Sequence, residues 1–230
     1  KDTLSDVSFS LKRGQTLGII GPTGSGKTTI LWLLLRFYDP DSGAVRLNGR
    51  DVRSIPPEVL HSKFGVVFQN DFLYADEIGE NIDFGRGISP EQTAAAARTA
   101  QADFIAQRKG GFSAQLAQKA ERRAEAARAA GRALAADPEI LLLDDSSSAL
   151  DYKTDAALRR ALARDFADTT KIIVAQRVSS IQNADRILVL EDGRAAGLGT
   201  HSDLLRSCES YREIAQVQMG EWNKWHAAKE

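Results

Sequence analysis

The sequence is poor in the features that mark several other classes of protein. Its 230 residues include one cysteine, Cys208, which rules out an internal disulfide, suggests a reducing compartment and is interpreted as a small buried side chain. No apolar run reaches the roughly 20 residues of a membrane-spanning helix. The net charge of −1 gives no electrostatic basis for binding nucleic acid. Neither a signal-peptide pattern nor an initiator methionine opens the chain, so we expect a piece of a longer polypeptide.

What the sequence does contain is a glycine-rich octapeptide between a strand signal and a helix signal. Residues 21–28 read Gly-Pro-Thr-Gly-Ser-Gly-Lys-Thr and match the pattern GxxxxGK[ST] in full. The apolar run at 16–20 predicts a buried strand, and the run at 29–37 predicts a buried helix. Such a turn brings backbone N–H groups close to phosphate oxygens, next to the positive end of a helix dipole. A chance glycine-rich turn is the alternative, and the strand–turn–helix context argues against it.

The pattern assigns a role to each polar residue of this loop. Lys27 is expected to reach the β- and γ-phosphates of a nucleoside triphosphate, and the Thr28 hydroxyl is expected to hold Mg²⁺. The predicted nucleotide-binding residues are Gly21, Pro22, Thr23, Gly24, Ser25, Gly26, Lys27, Thr28 and Thr29.

The rest of the chain alternates strand and helix signals. This alternation predicts an α/β fold, a P-loop NTPase core with a mostly parallel sheet. Val7, Phe9 and Leu11 alternate with polar residues and predict an N-terminal strand over 5–11 that contributes to antiparallel pairing. A short strand at 44–47 precedes the hairpin signal Asn48-Gly49. Buried strands are predicted at 65–68, 140–144, 171–174 and 186–190.

The alanine-rich stretch in the middle of the chain predicts an inserted helical subdomain. It begins at Ser89, which with Gln92 forms a capping box. We therefore expect a single domain over 1–230. Its core and β-subdomain occupy 1–75 and 137–210, the helical subdomain about 76–136, and a C-terminal helix 211–230.

A second motif follows at 140–145, where four apolar residues precede two carboxylates. A buried strand that ends in Asp144 places a carboxylate at the edge where open α/β sheets bind ligands. Asp144 is therefore expected to act on Mg²⁺, directly or through water. An aspartate that merely ends a strand is the alternative, and it is less favoured downstream of a phosphate loop.

With these motifs the chain resembles the ATP-binding domain of ABC transporters, of the exporter type. Residues 66–69 resemble the Q-loop of that family, and 146–151 resemble its D-loop. Residues 172–177 resemble the strand of the switch loop, and 188–193 resemble the hairpin that follows.

The resemblance implies a set of roles and partners. Asp145, Gln176 and Gln69 are the implied catalytic residues, and Thr28, Gln69 and Asp144 are the implied ligands of Mg²⁺. Ser148 and Asp151 are expected at a dimer interface. In this family two such domains close around two ATP molecules and drive a transmembrane domain, so a second ATP-binding domain and a membrane domain are the implied partners. The implied location is the cytoplasmic face of a membrane.

Two residues depart from the family pattern at positions that serve hydrolysis. Asp145 stands where most members have the catalytic glutamate, and its side chain is shorter by one carbon–carbon bond of about 1.5 Å. Gln176 stands where most have histidine, and a neutral amide donates a hydrogen bond but cannot shuttle a proton. The pair resembles the degenerate, slowly hydrolysing half of a heterodimeric exporter. Two independent neutral substitutions are the alternative.

The signature loop of the family is also missing. Its positions fall on 120–124, Ala-Glu-Arg-Arg-Ala, within an alanine-rich stretch whose origin the sequence leaves open. The segment that carries the adenine-stacking aromatic residue is absent as well. Two further functions remain open: a regulatory ATP-dependent clamp without hydrolysis, and a non-transport ABC-type ATPase. For the second, 230 residues leave no room for the usual coiled-coil insertion.

Overall fold

The computed structural model describes residues 3–68, 82–83, 87–100, 131, 133–134, 137–145 and 152–227, with backbone alone for 152, 153 and 219–227. The strands are β1 Thr16–Ile20, β2 Arg46–Leu47, β3 Arg50–Asp51, β4 Phe64–Val67, β5 Ile140–Asp144, β6 Thr170–Val174, β7 Arg186–Glu191 and β8 Arg194–Gly199. The helices are α1 Lys27–Leu34, α2 Pro57–His61, α3 Pro90–Thr99, α4 Tyr152–Asp165, α5 His201–Ser207 and α6 Glu209–Ala227, with 3-10 turns at Val52–Ser54 and Val178–Ser180. The chain divides into two compact units, 1–53 with 172–230, and 54–171.

The first unit is built around β1, whose four residues from Leu17 to Ile20 are buried. β7 runs parallel to β1 with Leu17 opposite Arg186, and β8 runs antiparallel to β7. Asp192 and Gly193 join β7 to β8 with φ values of 48° and 78°, as a two-residue hairpin with matching twist requires. On the other side of β1 lies the end of β6, after which the Ala175 N–H donates to the Ile19 carbonyl oxygen.

Helices α5 and α6 of this unit meet at a buried tyrosine. Tyr211 is fully buried, and its hydroxyl lies 2.7 Å from Nδ1 of His201. Burial raises the pKa of the Tyr211 phenol to about 12. Thr200 and Asp203 form a reciprocal capping box at the start of α5, which fixes the direction in which the chain leaves β8.

The second unit contains the parallel pair β4 and β5, with Phe64 opposite Ile140 and Val67 opposite Leu143. The start of β6 continues from this pair, because the Thr170 N–H donates to the Glu139 carbonyl oxygen. Three leucines of β5, at 141, 142 and 143, are at most 4% exposed. Burial on both faces explains why β5 is a continuous apolar run instead of an alternating one.

The predicted α/β fold class is confirmed: β1–β7 and β4–β5 are parallel pairs, and β2–β3 and β7–β8 are antiparallel pairs. The capping box at Ser89 and Gln92 is also confirmed. The predicted strand over 5–11 is wrong, because no strand forms there. The alternating burial of these residues matches the prediction, but Asp6 has φ 55° and the segment is not paired as a strand. None of the helices in the described ranges combines the length and hydropathy that crossing a bilayer requires.

Candidate nucleotide-binding site

The loop between β1 and α1 is shaped by glycines in conformations that other residues rarely adopt. Gly24 has φ 80°, and Gly26 has φ 97° and ψ 9° at the N-cap of α1. Both lie in the left-handed region, where a Cβ atom costs energy. The predicted helix therefore starts at Lys27, two residues earlier than the apolar pattern alone suggests.

Gly21 permits a close approach of backbone to backbone at the start of this loop. A Cβ atom on residue 21 would lie 2.1 Å from the carbonyl oxygen of Leu190 in β7. The same virtual atom would lie 2.9 Å from Oγ of Ser25, so that hydroxyl faces the chain where it leaves β1. Ser25 is 3% exposed, and its Oγ is the one buried side-chain polar atom in the described ranges that has no hydrogen-bond partner. An incoming acceptor oxygen would satisfy it.

Lys27 places a cation over the carbonyl oxygens of the same loop. Its Nζ donates to the Gly21 carbonyl oxygen at 2.8 Å and to the Pro22 carbonyl oxygen at 2.7 Å. The first turn of α1 contains no acidic residue, and its N-cap glycine supplies no capping side chain. The ammonium group, the positive end of the helix dipole and the Ser25 hydroxyl therefore meet in one loop. Such a set of groups suits the phosphate oxygens of a nucleotide.

The carboxylates after the leucines of β5 form the second part of the predicted site, and they belong to the other unit. Asp144 ends β5 and is 4% exposed, and Asp145 is 6% exposed. Asp145 has φ 46°, a left-handed conformation that aspartate tolerates better than most residues. The backbone therefore bends where β5 ends.

The segment after β6 carries Gln176, which is exposed. The side-chain amide of Gln218 in α6 bonds to the backbone on both sides of Arg177. Its Nε2 donates to the Gln176 carbonyl oxygen at 2.8 Å, and its Oε1 accepts from the Val178 N–H at 2.8 Å. Gln218 was not among the predicted site residues. The available signal was a polar residue that continues the buried stripe of Tyr211 and Ala215 at i, i+4, i+7 spacing.

Of the predicted residues 21–29, the structure places 21–26 in the loop after β1 and 27–29 in the first turn of α1, and it places Gln176 in the same unit. Asp144 and Asp145 are adjacent at the end of β5. The predicted residues Gln69, Ser148 and Asp151 lie outside the described residues, and so do the signature positions 120–124.

Comparison with known proteins identifies relatives along nearly the whole chain. The model of the ABC transporter family matches residues 4–148. ATP-binding cassette sub-family B member 6 of Homo sapiens is 38% identical over 226 residues, which are 96% of this chain and 27% of the relative. ATP-dependent lipid A-core flippase of Vibrio vulnificus (strain CMCP6) is 37% identical over 227 residues, which are 96% of this chain and 39% of the relative.

A solved structure is similar to the same extent. A bacterial Atm1-family ABC exporter with ATP bound superimposes with a TM-score of 0.91 at 37% identity, over 95% of this chain and 40% of that one. The chain thus spans 27% to 39% of the length of the two curated relatives named above.

Proposed function

The chain belongs to the ABC transporter family, and we propose that it is the domain of an exporter that binds Mg·ATP and passes its nucleotide state to a membrane domain. This function rests on the loop at 21–29. It combines the Lys27 ammonium group, a helix N-terminus without acidic residues and the buried Ser25 hydroxyl. Each of these groups favours an anionic oxygen, and the loop glycines leave room for it.

Magnesium fits the residue types that the sequence supplies. We assign its ligands to the Thr28 hydroxyl, the Asp144 carboxylate and the Gln69 amide, all of them oxygen donors of the kind that Mg²⁺ prefers. When bound, the ion neutralises charge on the β- and γ-phosphates. Lys27 adds a second positive charge, and Thr23 and Thr29 complete the polar lining of the loop.

We propose that this domain hydrolyses its own ATP slowly. Asp145 is the candidate base, and its side chain is one carbon–carbon bond shorter than the glutamate that the family resemblance implies at this position. Gln176 offers a hydrogen-bond donor to the γ-phosphate without a titratable proton. The nucleotide-binding residues are intact while both hydrolytic positions are changed. A clamp that binds ATP and never hydrolyses it is the second candidate, and the same two residues favour it.

The proposed partners are a second ATP-binding domain and a membrane domain at the cytoplasmic face. A partner with an intact signature loop is needed because positions 120–124 lack one, which favours a heterodimer with contacts at Ser148 and Asp151. After α1, Phe37 and Tyr38 are 52% and 61% exposed, and Tyr38 packs 5.9 Å from the ring of Trp32. The exposed side chains of Phe37 and Tyr38 support contact with a membrane domain.

Titration with fluorescent ATP and Mg²⁺ tests the binding function. We expect saturable binding that Lys27→Met weakens on the order of 10- to 100-fold, because a charge-assisted hydrogen bond to phosphate is lost. Lys12→Met is the matched control, since Lys12 is exposed and lies before β1. Equal binding by wild type and Lys27→Met contradicts the proposal. Mass measurement with and without Mg·ATP and a partner domain then distinguishes the heterodimer from a homodimer.

A further inference from the structure

The segment from Ala175 to Gln182 leaves the sheet but remains held at several points. Ala175 bonds to β1 through its N–H and the Ile19 carbonyl oxygen. Further along, Val178 and Ile181 are 2% and 1% exposed and anchor the 3-10 turn in the core. Gln176 and Arg177 lie between these anchors, after the end of β6.

Gln218 holds the backbone of this segment on both sides of Arg177. Arg177 is extended, with φ −107° and ψ 128°, so the carbonyl group of Gln176 and the N–H of Val178 point to the same side of the chain. A neighbouring strand would offer one acceptor and one donor at that place. The carboxamide of Gln218 offers the same pair, with Nε2 on the Gln176 carbonyl oxygen and Oε1 on the Val178 N–H, both at 2.8 Å.

The orientation of this amide is determined by its partners. A flipped carboxamide would set oxygen against the Gln176 carbonyl oxygen and N–H against the Val178 N–H, so the reverse orientation loses both bonds. Gln218 is half-buried on α6, one turn beyond the buried Ala215. Loss of the amide would remove both of these backbone bonds at once.

We infer that Gln218 is a positioning residue for Gln176. Through Gln218, helix α6 fixes the position from which the side-chain amide of Gln176 donates to the γ-phosphate. The inference rests on the proposed function, because it assumes that Gln176 recognises ATP. It predicts that α6 controls the preference for ATP over ADP without touching the nucleotide.

Three variants of the full chain separate the parts of this arrangement. Gln218→Met keeps the length of the side chain and removes both bonds. Gln218→Glu keeps the acceptor for the Val178 N–H and removes the donor to Gln176. Gln216→Met is the matched control, because Gln216 is exposed on the same helix.

The first measurement is amide hydrogen exchange at Val178. We expect exchange to be faster in Gln218→Met than in wild type, and unchanged in Gln218→Glu and Gln216→Met. Equal exchange in wild type and Gln218→Met overturns the inference, because the bond to Val178 then gives no protection.

The second measurement is the ratio of ATP to ADP affinity in the presence of Mg²⁺. We expect Gln218→Met and Gln218→Glu to reduce this ratio about fivefold, the equivalent of one net hydrogen bond, with ADP affinity unchanged. In a Gln176→Ala background, Gln218→Met is expected to have no further effect, as coupling through Gln176 requires. A reduction that persists in that background, or that affects ADP equally, overturns the inference.

Failure of the proposed function gives a different result. The wild-type chain would then show no Lys27-dependent binding of either nucleotide, and the inference would fall with it. Wild-type binding that prefers ATP, together with the same preference in Gln218→Met, overturns the inference alone.

Discussion

Gly18 and Ile181 are packed so closely that no side chain fits between them. A Cβ atom on residue 18 would lie 2.6 Å from the Cβ of Ile181 and 2.9 Å from its Cγ2. Ile181 comes directly after the 3-10 turn Val178–Ser180 and is 1% exposed. The segment that carries Gln176 therefore rests directly on β1, the strand that leads into the phosphate-binding loop.

This contact predicts the effect of Gly18→Ala. The new methyl group forces apart β1 and a buried isoleucine at its branched carbon, which does not move without its backbone, so we expect a loss of about 1–3 kcal/mol in unfolding free energy. Urea denaturation measures it. Ile181→Gly, which removes the Cβ atom, is also destabilising alone, but the double variant should be more stable than the sum of the single effects predicts. Additive effects would contradict the contact.

Two glycines of the loop allow a matched comparison. Gly24 and Gly26 both have left-handed φ, but a Cβ on Gly24 meets open space while one on Gly26 would lie 2.6 Å from Cδ2 of Leu4. We expect Gly24→Ala to cost about 1–2 kcal/mol from backbone strain alone. Gly26→Ala should cost more, because the N-terminal segment must also move.

Thermal or urea unfolding of both variants checks this order. Adding Leu4→Ala to Gly26→Ala removes the contact with Leu4 and should recover part of the extra cost, since the Thr3 carbonyl oxygen stays 3.1 Å from the added Cβ. Adding it to Gly24→Ala should recover nothing. Equal unfolding free energies of Gly24→Ala and Gly26→Ala would contradict the prediction. So would an equal effect of Leu4→Ala on the stability of these two variants.

Local signals were sufficient for much of the fold. β5 was predicted at its observed bounds, because a run of apolar residues ended by Asp144 is determined by adjacent residues alone. The capping box at Ser89 is local in the same way. β8 was not predicted as a strand, since Ala195 and Ala196 have little strand preference. It forms because the turn at Asp192-Gly193 returns the chain along β7, which supplies its hydrogen-bond partners.

The parts of the site that depend on distant residues were harder to predict. The loop at 21–29 follows from one contiguous pattern, but the bonds of Gln218 join residues about forty positions apart, and no local periodicity reports them. The segment 5–11 shows the converse case. Its alternating burial was predicted correctly, whereas its pairing depends on a partner strand that the pattern does not contain.

Tyr211 predicts a loss of stability at alkaline pH. Its pKa is about 12 in the folded chain against 10.0 ordinarily, because burial disfavours the phenolate. Below pH 10 the phenol is neutral in both states and its contribution is fully present. As the pH rises towards 12 the unfolded chain loses its proton first, so the folded state is destabilised.

Unfolding free energies measured at several pH values from 8 to 12 test this slope. In Tyr211→Phe the unfolding free energy should fall less steeply above pH 10 than in wild type. A difference between the two proteins that does not change with pH reports the lost bond to His201. Phe37→Leu is the control, because Phe37 is a 52% exposed aromatic residue without an ionisable group. If the unfolding free energy of Tyr211→Phe falls as steeply as that of wild type, groups other than Tyr211 cause the decrease.

Asp145 combines a short side chain with a left-handed backbone, so its substitution should separate rate from stability. Asp145→Glu extends the carboxylate by about 1.5 Å towards the attacking water, and we expect single-turnover ATP hydrolysis to rise about 10- to 100-fold. The same change should lower the unfolding free energy by about 0.5–1 kcal/mol, because glutamate is less tolerant than aspartate of φ 46°.

Asp145→Asn provides the complementary variant, since asparagine tolerates the left-handed conformation but cannot accept a proton. We expect it to remain as stable as wild type within about 0.5 kcal/mol while its hydrolysis falls below the wild-type rate. Both rates are measured with a partner domain that carries an intact signature loop, so that the composite site is complete. If Asp145→Glu hydrolyses ATP no faster than wild type, the length of the side chain is not the cause of slow hydrolysis. An asparagine variant as active as wild type would show that Asp145 is not the base, because only the carboxylate distinguishes the two side chains at a backbone position that accepts both.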